Sequence, residues 1–528
     1  MKEVENADHV GMHDLVRDLA IQIMRKDLNF ISKAGMDLSR KWPEEAFAKA
    51  RKISMVDAHL EAFPNIPSCN PNLSTLLLGH SEIHYQKRVT IPMSFFSKML
   101  ALQVLDISYI VTDMKELPES LSELVGLRAL FLVCLSLKKI PSLAKLKELQ
   151  MLSFRNSTID EAPAGMEALV NLRLLNLEET EGFKDFNPDL ISKLSLLQQL
   201  NMLSCDILSK SSRIAASCIE GIASLKCLTN LSMSFDDLGN YLMALKLIQW
   251  NKLKGFYIHV WPNGWWTNPP TTCRGNYNKK FVSINAFSPT KFSDIQIPSN
   301  SQELWLQVVY RTLEDLEWKE DTTKDEVHLL PGNGLDPRTL ASLENLTLKY
   351  FNFEFDVFCR ESLQKDCLTS LKNLIIDGFW LKNLSSFNTL QQLKNLEVFK
   401  VLSCVLMEEI IKEEVPSDGS TEVTSEIVLP KLHTLIFGLL PKLHCISSNM
   451  TWICDSLKVV AVFDCPELEQ FPLIQFPTSG IIYGTSEWWE RLQWENPMTK
   501  DILQSHFRVA NATDAELCPL LGSNYSFC

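Results

Sequence analysis

The sequence predicts an α/β solenoid: a repeating chain bent into a horseshoe, with a parallel sheet on its inner face and a short helical segment ahead of it. Three observations carry the prediction. A nine-residue pattern of leucines returns along most of the chain. Its copies run in phase, so coincidence cannot account for them. Proline closely follows several copies, where the chain has to leave a sheet.

The pattern reads L-x-x-L-x-L-x-x-(N/C or apolar). It is clear in "LQQLNMLSC" (Leu197–Cys205), "LENLTLKYF" (Leu343–Phe351), "LKNLIIDGF" (Leu371–Phe379), "LEVFKVLSC" (Leu396–Cys404) and "LKVVAVFDC" (Leu457–Cys465). This is the leucine-rich repeat. Further copies begin at Leu73, Leu102, Leu127, Leu149, Leu172, Leu228, Leu253 and Leu432, and weaker ones near Ala50, Phe281 and Ser301, about fifteen in all. The starts at Leu102, Leu127, Leu149, Leu172 and Leu197 are spaced by 25, 22, 23 and 25 residues.

Each element follows from this pattern. The x-L-x-L core alternates, so it forms a short strand with its leucines on one side. One repeat cannot bury those leucines, but stacked neighbours join them into a continuous core. Leu175, Leu231, Leu346 and Leu374 are the central leucines of their repeats and are expected to be buried. Pro118, Pro141 and Pro163 lack the N–H that a sheet needs. They turn the chain into a return path, which Leu121, Leu124, Leu143 and Leu146 pack against the core. The longer intervals hold polar insertions rich in helix and strand breakers, such as "EDTTKDEVHLLPGNGLDPR" and "EEIIKEEVPSDGSTEVTSE", and these are loops. The last repeat needs a cover. "TSEWWERLQW" is suited to be that cover, with Ser486 as helix cap and Trp489 and Leu492 on one face. Residues beyond about Ser505 lack repeat pattern and an apolar stripe, and are expected to be poorly ordered.

Composition limits the function classes. The 528 residues are 46% hydrophobic and 22% charged, with net charge −13. That balance argues against nucleic acid, because phosphate binding needs clustered Lys and Arg. The opening "MKEVENADHV" is acidic and has no apolar run, unlike a signal peptide. No stretch approaches the ~18 uninterrupted apolar residues of a membrane span. The 14 cysteines are scattered without CxxC pairs and read as reduced thiols.

Catalytic and metal motifs are missing. No glycine is followed by lysine, which rules out a GxxxxGK[ST] phosphate loop, and neither GxSxG nor HExxH occurs. "HSEIH", with His80, Glu82 and His84, misplaces the glutamate for a zinc helix, so it reads as ordinary surface. The chain is therefore not expected to be an enzyme or to hold a metal.

What remains is surface. Residues between the leucines point away from the core and form columns suited to large partners. Tyr257, His259, Trp305, Lys349 and Tyr350 combine aromatic area with polar tips, the chemistry of interface hot spots. They are the candidate partner-binding residues. Trp261, Trp265 and Trp266, in a Pro/Gly-broken stretch, could line the site or simply plug an irregular part of the core. The acidic cluster Glu408, Glu409, Glu413 and Glu414 reads as solvated surface, or as a steering patch for a basic partner.

The N-terminal "GMHDLVRDLAIQIM" (Gly11–Met24) belongs to no repeat. Leu15, Leu19 and Ile23 place it on an amphipathic helix. Its Met12-His13-Asp14 resembles the MHD motif of plant disease-resistance proteins with nucleotide-binding (NB-ARC) and leucine-rich-repeat parts. "ARKISMVDAHLEAFP" is similar to that family's first repeat. "LEVFKVLSCVLMEEII", "LPKLHTLIFGLLPKLHCI", "LKVVAVFDCPELEQFP" and the ending "EWWERLQWENP" resemble the last repeats of its coiled-coil class. The resemblance covers about residues 9–500. It implies three parts: 1–48, a remnant of a winged-helix subdomain; 49–484, the leucine-rich-repeat solenoid; 485–528, a helical cap and tail. It implies that His13 would meet the β-phosphate of ADP only with the nucleotide-binding domain present, so no cofactor is expected in this chain, whereas full-length members carry ADP or ATP. It further implies a cytoplasmic immune receptor part that senses a pathogen effector, or a guarded host protein altered by one, and restrains the NB-ARC switch. Two alternatives stand beside it: a nucleotide switch within a longer parent chain, or the substrate receptor of a ubiquitin ligase.

Overall fold

A computed structural model describes residues 2–3, 10–11, 30–32, 47–55, 63, 70–78, 90–110, 114–184, 186–208, 212–261, 279–286, 296–308, 340–350, 368–386, 390–412, 425–447, 450–471, 477, 480–494 and 497–510. The chain divides into two compact units, Met1–Lys280 and Phe281–Cys528.

In the first unit the repeats form a parallel ladder. Its strands are Phe30–Ser32, Lys52–Ser54, Thr75–Leu77, Val104–Asp106, Ala129–Phe131, Met151–Ser153, Leu174–Asn176, Gln199–Met202, Asn230–Phe235 and Gly255–Val260. Each pairs in register with the next, so that Leu152, Leu175, Leu200 and Leu231 stand in one line. Leu175 is 0% exposed and Leu231 1%. The spacing of the pattern had placed them there.

The ends of five successive strands, from Val104–Asp106 to Gln199–Met202, repeat as faithfully as their leucines. Tyr109, Cys134, Asn156, Glu179 and Ser204 all have positive φ, between 51° and 59°. One left-handed residue turns the chain sharply out of the sheet without committing it to a left-handed helix. Beyond that turn, Ser157 Oγ donates to Leu132 O at 2.8 Å and Thr180 Oγ1 to Phe154 O at 2.9 Å. These are the N/C positions of the pattern. A buried carbonyl beside the turn needs a donor, and a small polar side chain reaches it.

The return path is built from short pieces. A 3-10 turn spans Glu119–Glu123 behind Pro118, another spans Met166–Ala168, and helices span Ser212–Ser224 and Leu238–Leu247. Leu121, Leu124, Leu143 and Leu146 are fully buried beneath it.

The second unit repeats the plan with the strands Lys280–Ala286, Glu303–Val308, Asn345–Lys349, Asn373–Asp377, Val398–Leu402, Thr434–Gly438, Val459–Phe463, Ile481–Gly484 and Phe507–Val509, each parallel to its neighbour. Leu346 and Leu374 are fully buried. Here cysteine takes the N/C position beyond the turn: Cys404 Sγ donates to Leu402 O at 3.1 Å and Cys465 Sγ to Phe463 O at 3.3 Å.

Five details differ from the expectations. The stretch "EEIIKEEVPSDGSTEVTSE", expected to be a loop, contains the strand Glu409–Lys412, which pairs with Asn383–Ser386 and Cys445–Ser447. Gly11, expected to open a helix, lies in a strand pair of Val10–Gly11 with Lys2–Glu3. The parallel ladder already includes Phe30–Ser32, ahead of residue 49. The helix Ser486–Arg491 is capped by Thr485, whose hydroxyl accepts from the Trp488 N–H at 3.2 Å, so Ser486 sits inside the first turn. The chain beyond Ser505 does not simply lose order, since Phe507–Val509 adds a last strand beside Ile482–Gly484. Three aromatic faces explain that strand. Trp488 and Trp489 are buried, and the Trp489 ring stacks on Phe507 with centroids 4.4 Å apart and planes at 19°. Trp489 Nε1 also donates to Gln504 Oε1 at 2.7 Å. The helix and Leu492 thus cover apolar area together with the strand that comes after them.

Candidate functional site

The face opposite the leucines carries the residues between them. In the second unit, in-register pairing lines up Trp305, Thr347, Ile375 and Lys400 in one row, and Gln307, Lys349 and Asp377 in the next. Two candidate residues meet here. Lys349 Nζ stands 4.7 Å from the centroid of the Trp305 ring and 3.0 Å from Asp377 Oδ2. The ammonium therefore has a π face on one side and a carboxylate on the other. Both charged side chains are nearly out of water, at 11% and 6% exposure.

Tyr350 completes the group. It occupies the left-handed turn after the strand, at φ 59°, and its N–H donates to Asp377 O at 2.8 Å. Its ring lies where a Cβ on Gly378 would stand, and Gly378 itself has φ 71°. Only glycine accepts both conditions. Tyr350 is 38% exposed, whereas Trp305 is half-buried. Burial, and then the charge of Asp377, hold the Tyr350 phenol above its ordinary pKa.

Tyr257 and His259 fall in the first unit and are 7% and 0% exposed. Their strand, Gly255–Val260, and the neighbouring Asn230–Phe235 are buried along their whole length, on both faces. The His259 ring packs 4.8 Å from that of Trp261. Of the five candidates, then, Trp305, Lys349 and Tyr350 come together. Asp377 and Gly378 are members that pattern reading did not single out, although the 28-residue step from Lys349 to Asp377 follows directly from aligning the two repeats. Met12, His13, Asp14, His80, Glu82, His84, Trp265, Trp266, Glu413 and Glu414 lie outside the described residues. Glu408 is held well below the ordinary carboxylate range by its hydrogen bond from Lys382, 2.9 Å away.

The first unit carries a polar group on the same face. Glu178, 6% exposed at its side chain, lies 3.5 Å from Arg155 Nε and accepts from Asn201 Nδ2 at 3.0 Å. This too offers charge and hydrogen bonds rather than a reacting group.

Burial pushes the thiols of Cys218, Cys404, Cys454 and Cys465 up to about 12, which keeps them protonated and poorly nucleophilic. Among the described residues no cluster of His, Cys, Asp and Glu could hold a metal. An aromatic ring, a desolvated ion pair and a half-exposed phenol can bind a protein surface.

Two family models match the repeats. Residues 49–271 match a family model described as a leucine-rich repeat region. Residues 342–478 match the leucine-rich repeats of plant disease resistance proteins of RPS2 type. The chain is 25% identical over 544 residues to disease resistance protein At4g27190 of Arabidopsis thaliana, covering 96% of this chain and 52% of the relative. It is 32% identical over 215 residues to the Arabidopsis disease resistance protein RFL1, covering 40% of this chain and 23% of that one. The chain thus spans about half the length of the longest of these matches, or less. Among solved structures, a leucine-rich-repeat protein of Leptospira interrogans aligns at 16% identity and a TM-score of 0.41 over 74% of this chain and 94% of that one.

Proposed function

The chain belongs to the plant disease-resistance proteins with leucine-rich repeats, and on that premise we propose that it is the recognition part of an immune receptor. It binds a protein, either a pathogen effector or a host protein that an effector has altered. With nothing bound it holds the NB-ARC switch of a full-length parent inactive. It works in the cytoplasm; among the described residues no helix is long and apolar enough to cross a membrane. It binds rather than catalyses.

The observation that supports this reading is the group on the face opposite the leucines. Trp305 and Tyr350 supply aromatic area, and the pair of Lys349 and Asp377 supplies fixed charge that discriminates among partners. Trp and Tyr are among the residues that dominate interface energetics.

The test is a screen of effectors and host proteins against the full chain, followed by titration of two variants. Trp305→Ala with Tyr350→Ala should weaken binding by roughly 30-fold or more, the equivalent of ~2 kcal/mol. Neutralising Glu408, Glu409, Glu413 and Glu414 together should change affinity little. If the first variant folds and binds like the parent, this surface is not the recognition site.

A further inference from the structure

The turns that end the strands Val398–Leu402, Thr434–Gly438 and Val459–Phe463 line a cavity of about 480 Å³, together with the helix Ser486–Arg491. Register arranges its walls. Leu402, Gly438 and Phe463 stand in one row, so Val405, Pro441 and Pro466, each three residues further on, follow one another at the strand spacing. From first to last they span about 10 Å. Val405 and Leu439, 40% and 36% exposed, stand at the rim, and the buried Phe463 and Trp488 form the floor. The Trp488 ring is held in place by Gly484, where a Cβ would come within 2.4 Å of Trp488 Cε3.

The lining is apolar where the fold does not ask for it. Leu439 occupies the left-handed turn position at φ 57°, which Ser403 and Asp464 occupy in the neighbouring repeats. Left-handed backbone is unfavourable for leucine and easier for asparagine. A side chain more than a third exposed recovers only part of that through burial. Pro441 and Pro466 have no N–H, so they offer contact area and no backbone donor. The Trp488 indole N–H is buried and meets no acceptor among the described residues. A carbonyl brought by an occupant would satisfy it.

Charge completes the lining. Asp464, Glu487 and Arg491 are exposed, and among the described residues none of them forms an ion pair. Two carboxylates against one guanidinium leave the mouth net negative, which favours a cationic occupant.

We propose that this groove seats a short segment of a partner protein, with a bulky apolar side chain in the cavity and a lysine or arginine beside it at Asp464 and Glu487. The cavity has the size of a small-ligand pocket, and its 10 Å run across the strands takes roughly three extended residues. This goes beyond the role given to the group around Trp305 and does not rest on it.

A phage-displayed library of random heptapeptides is selected against the full chain, and the enriched peptides are synthesised and titrated by fluorescence anisotropy. The expected peptides place Leu, Phe or Trp beside Lys or Arg. Leu439→Asn with Val405→Ser, both at exposed positions, should weaken the strongest of them roughly tenfold, with circular dichroism unchanged. Asp464→Asn with Glu487→Gln keeps the shape and removes the charge. It should weaken binding roughly threefold, and it decides the matter should the first variant not fold. No enrichment, enriched peptides without a basic residue, or peptides that bind parent and variants alike would overturn the proposal. So would a dimer of the parent chain that the Leu439→Asn variant dissolves, since a second copy would then fill the groove. None of these outcomes bears on the group around Trp305.

Discussion

Lys349 and Asp377, on adjacent parallel strands, form an ion pair of 3.0 Å that is almost wholly withdrawn from water, with the Trp305 ring closing its other side. Such a pair gains little over an apolar pair, but losing one partner strands the other. Asp377→Ala should therefore cost ~3 kcal/mol, whereas Lys349→Met combined with Asp377→Leu should cost about 1 kcal/mol or less. Urea midpoints of the single and double variants give the comparison. A double variant as unstable as the single one would contradict this balance.

Truncating a central leucine tests the register. Leu175→Ala, Leu231→Ala, Leu346→Ala and Leu374→Ala should each lower stability by ~2–5 kcal/mol. Val125→Ala and Leu196→Ala, at residues 52% and 42% exposed, should stay within ~0.5 kcal/mol.

The leucine register was legible because a dozen copies in phase constrain one another. The ends were not. Phe30–Ser32 and Phe507–Val509 are three-residue strands whose runs, "FIS" and "FRV", carry no leucine signature. They are recruited by the neighbouring strand and, for Phe507, by the Trp489 ring. The site was half legible. Alternation placed Trp305 and Lys349 on the face opposite the leucines, and it placed Tyr257 and His259 there too. Alternation reports which face a residue takes but not whether that face is covered, and the Gly255–Val260 strand is buried on both. Asp377 escaped notice because a lone aspartate before a glycine reads as a turn residue until its register partner is known.

Gly378 is the position where a methyl group is least tolerated. Gly378→Ala would hold a β-carbon at φ 71° and thrust it into the Tyr350 ring. The backbone conformation alone costs ~1 kcal/mol, and displacement of the ring adds to it. Ultraviolet titration should show the Tyr350 phenol moving back toward its ordinary value. An unchanged titration would mean that the ring does not rest on Gly378.

The buried thiols give a pH signature. Their folded-state pKa of about 12 lies above the ordinary 9.0. A raised folded value favours the protonated, folded chain. The stability they contribute is thus complete below pH 9 and is lost as pH climbs through the window from 9 to 12. At pH 8 a thiol reagent should modify the exposed Cys227 far faster than Cys218, Cys404, Cys454 or Cys465, as read by peptide mass spectrometry. Comparable rates in the folded protein would argue against their burial.

The C-terminal cover is tested at one ring. Trp489→Ala removes the stack on Phe507 and the bond to Gln504. It should cost ~3 kcal/mol or more and promote aggregation, measured by light scattering during thermal unfolding. A variant that melts like the parent and stays clear would show that the last strand needs no such cover.

Hydroxyl-radical footprinting of the chain with and without its captured partner tests the recognition surface most directly, because it reads side chains rather than amides already bonded in the sheet. Oxidation of Trp305 and Tyr350 is predicted to fall several-fold in the complex. Unchanged oxidation of both, with protection appearing only on the return path around Val125 or Val170 of the first unit, would place recognition away from the group around Trp305 and contradict the proposed site.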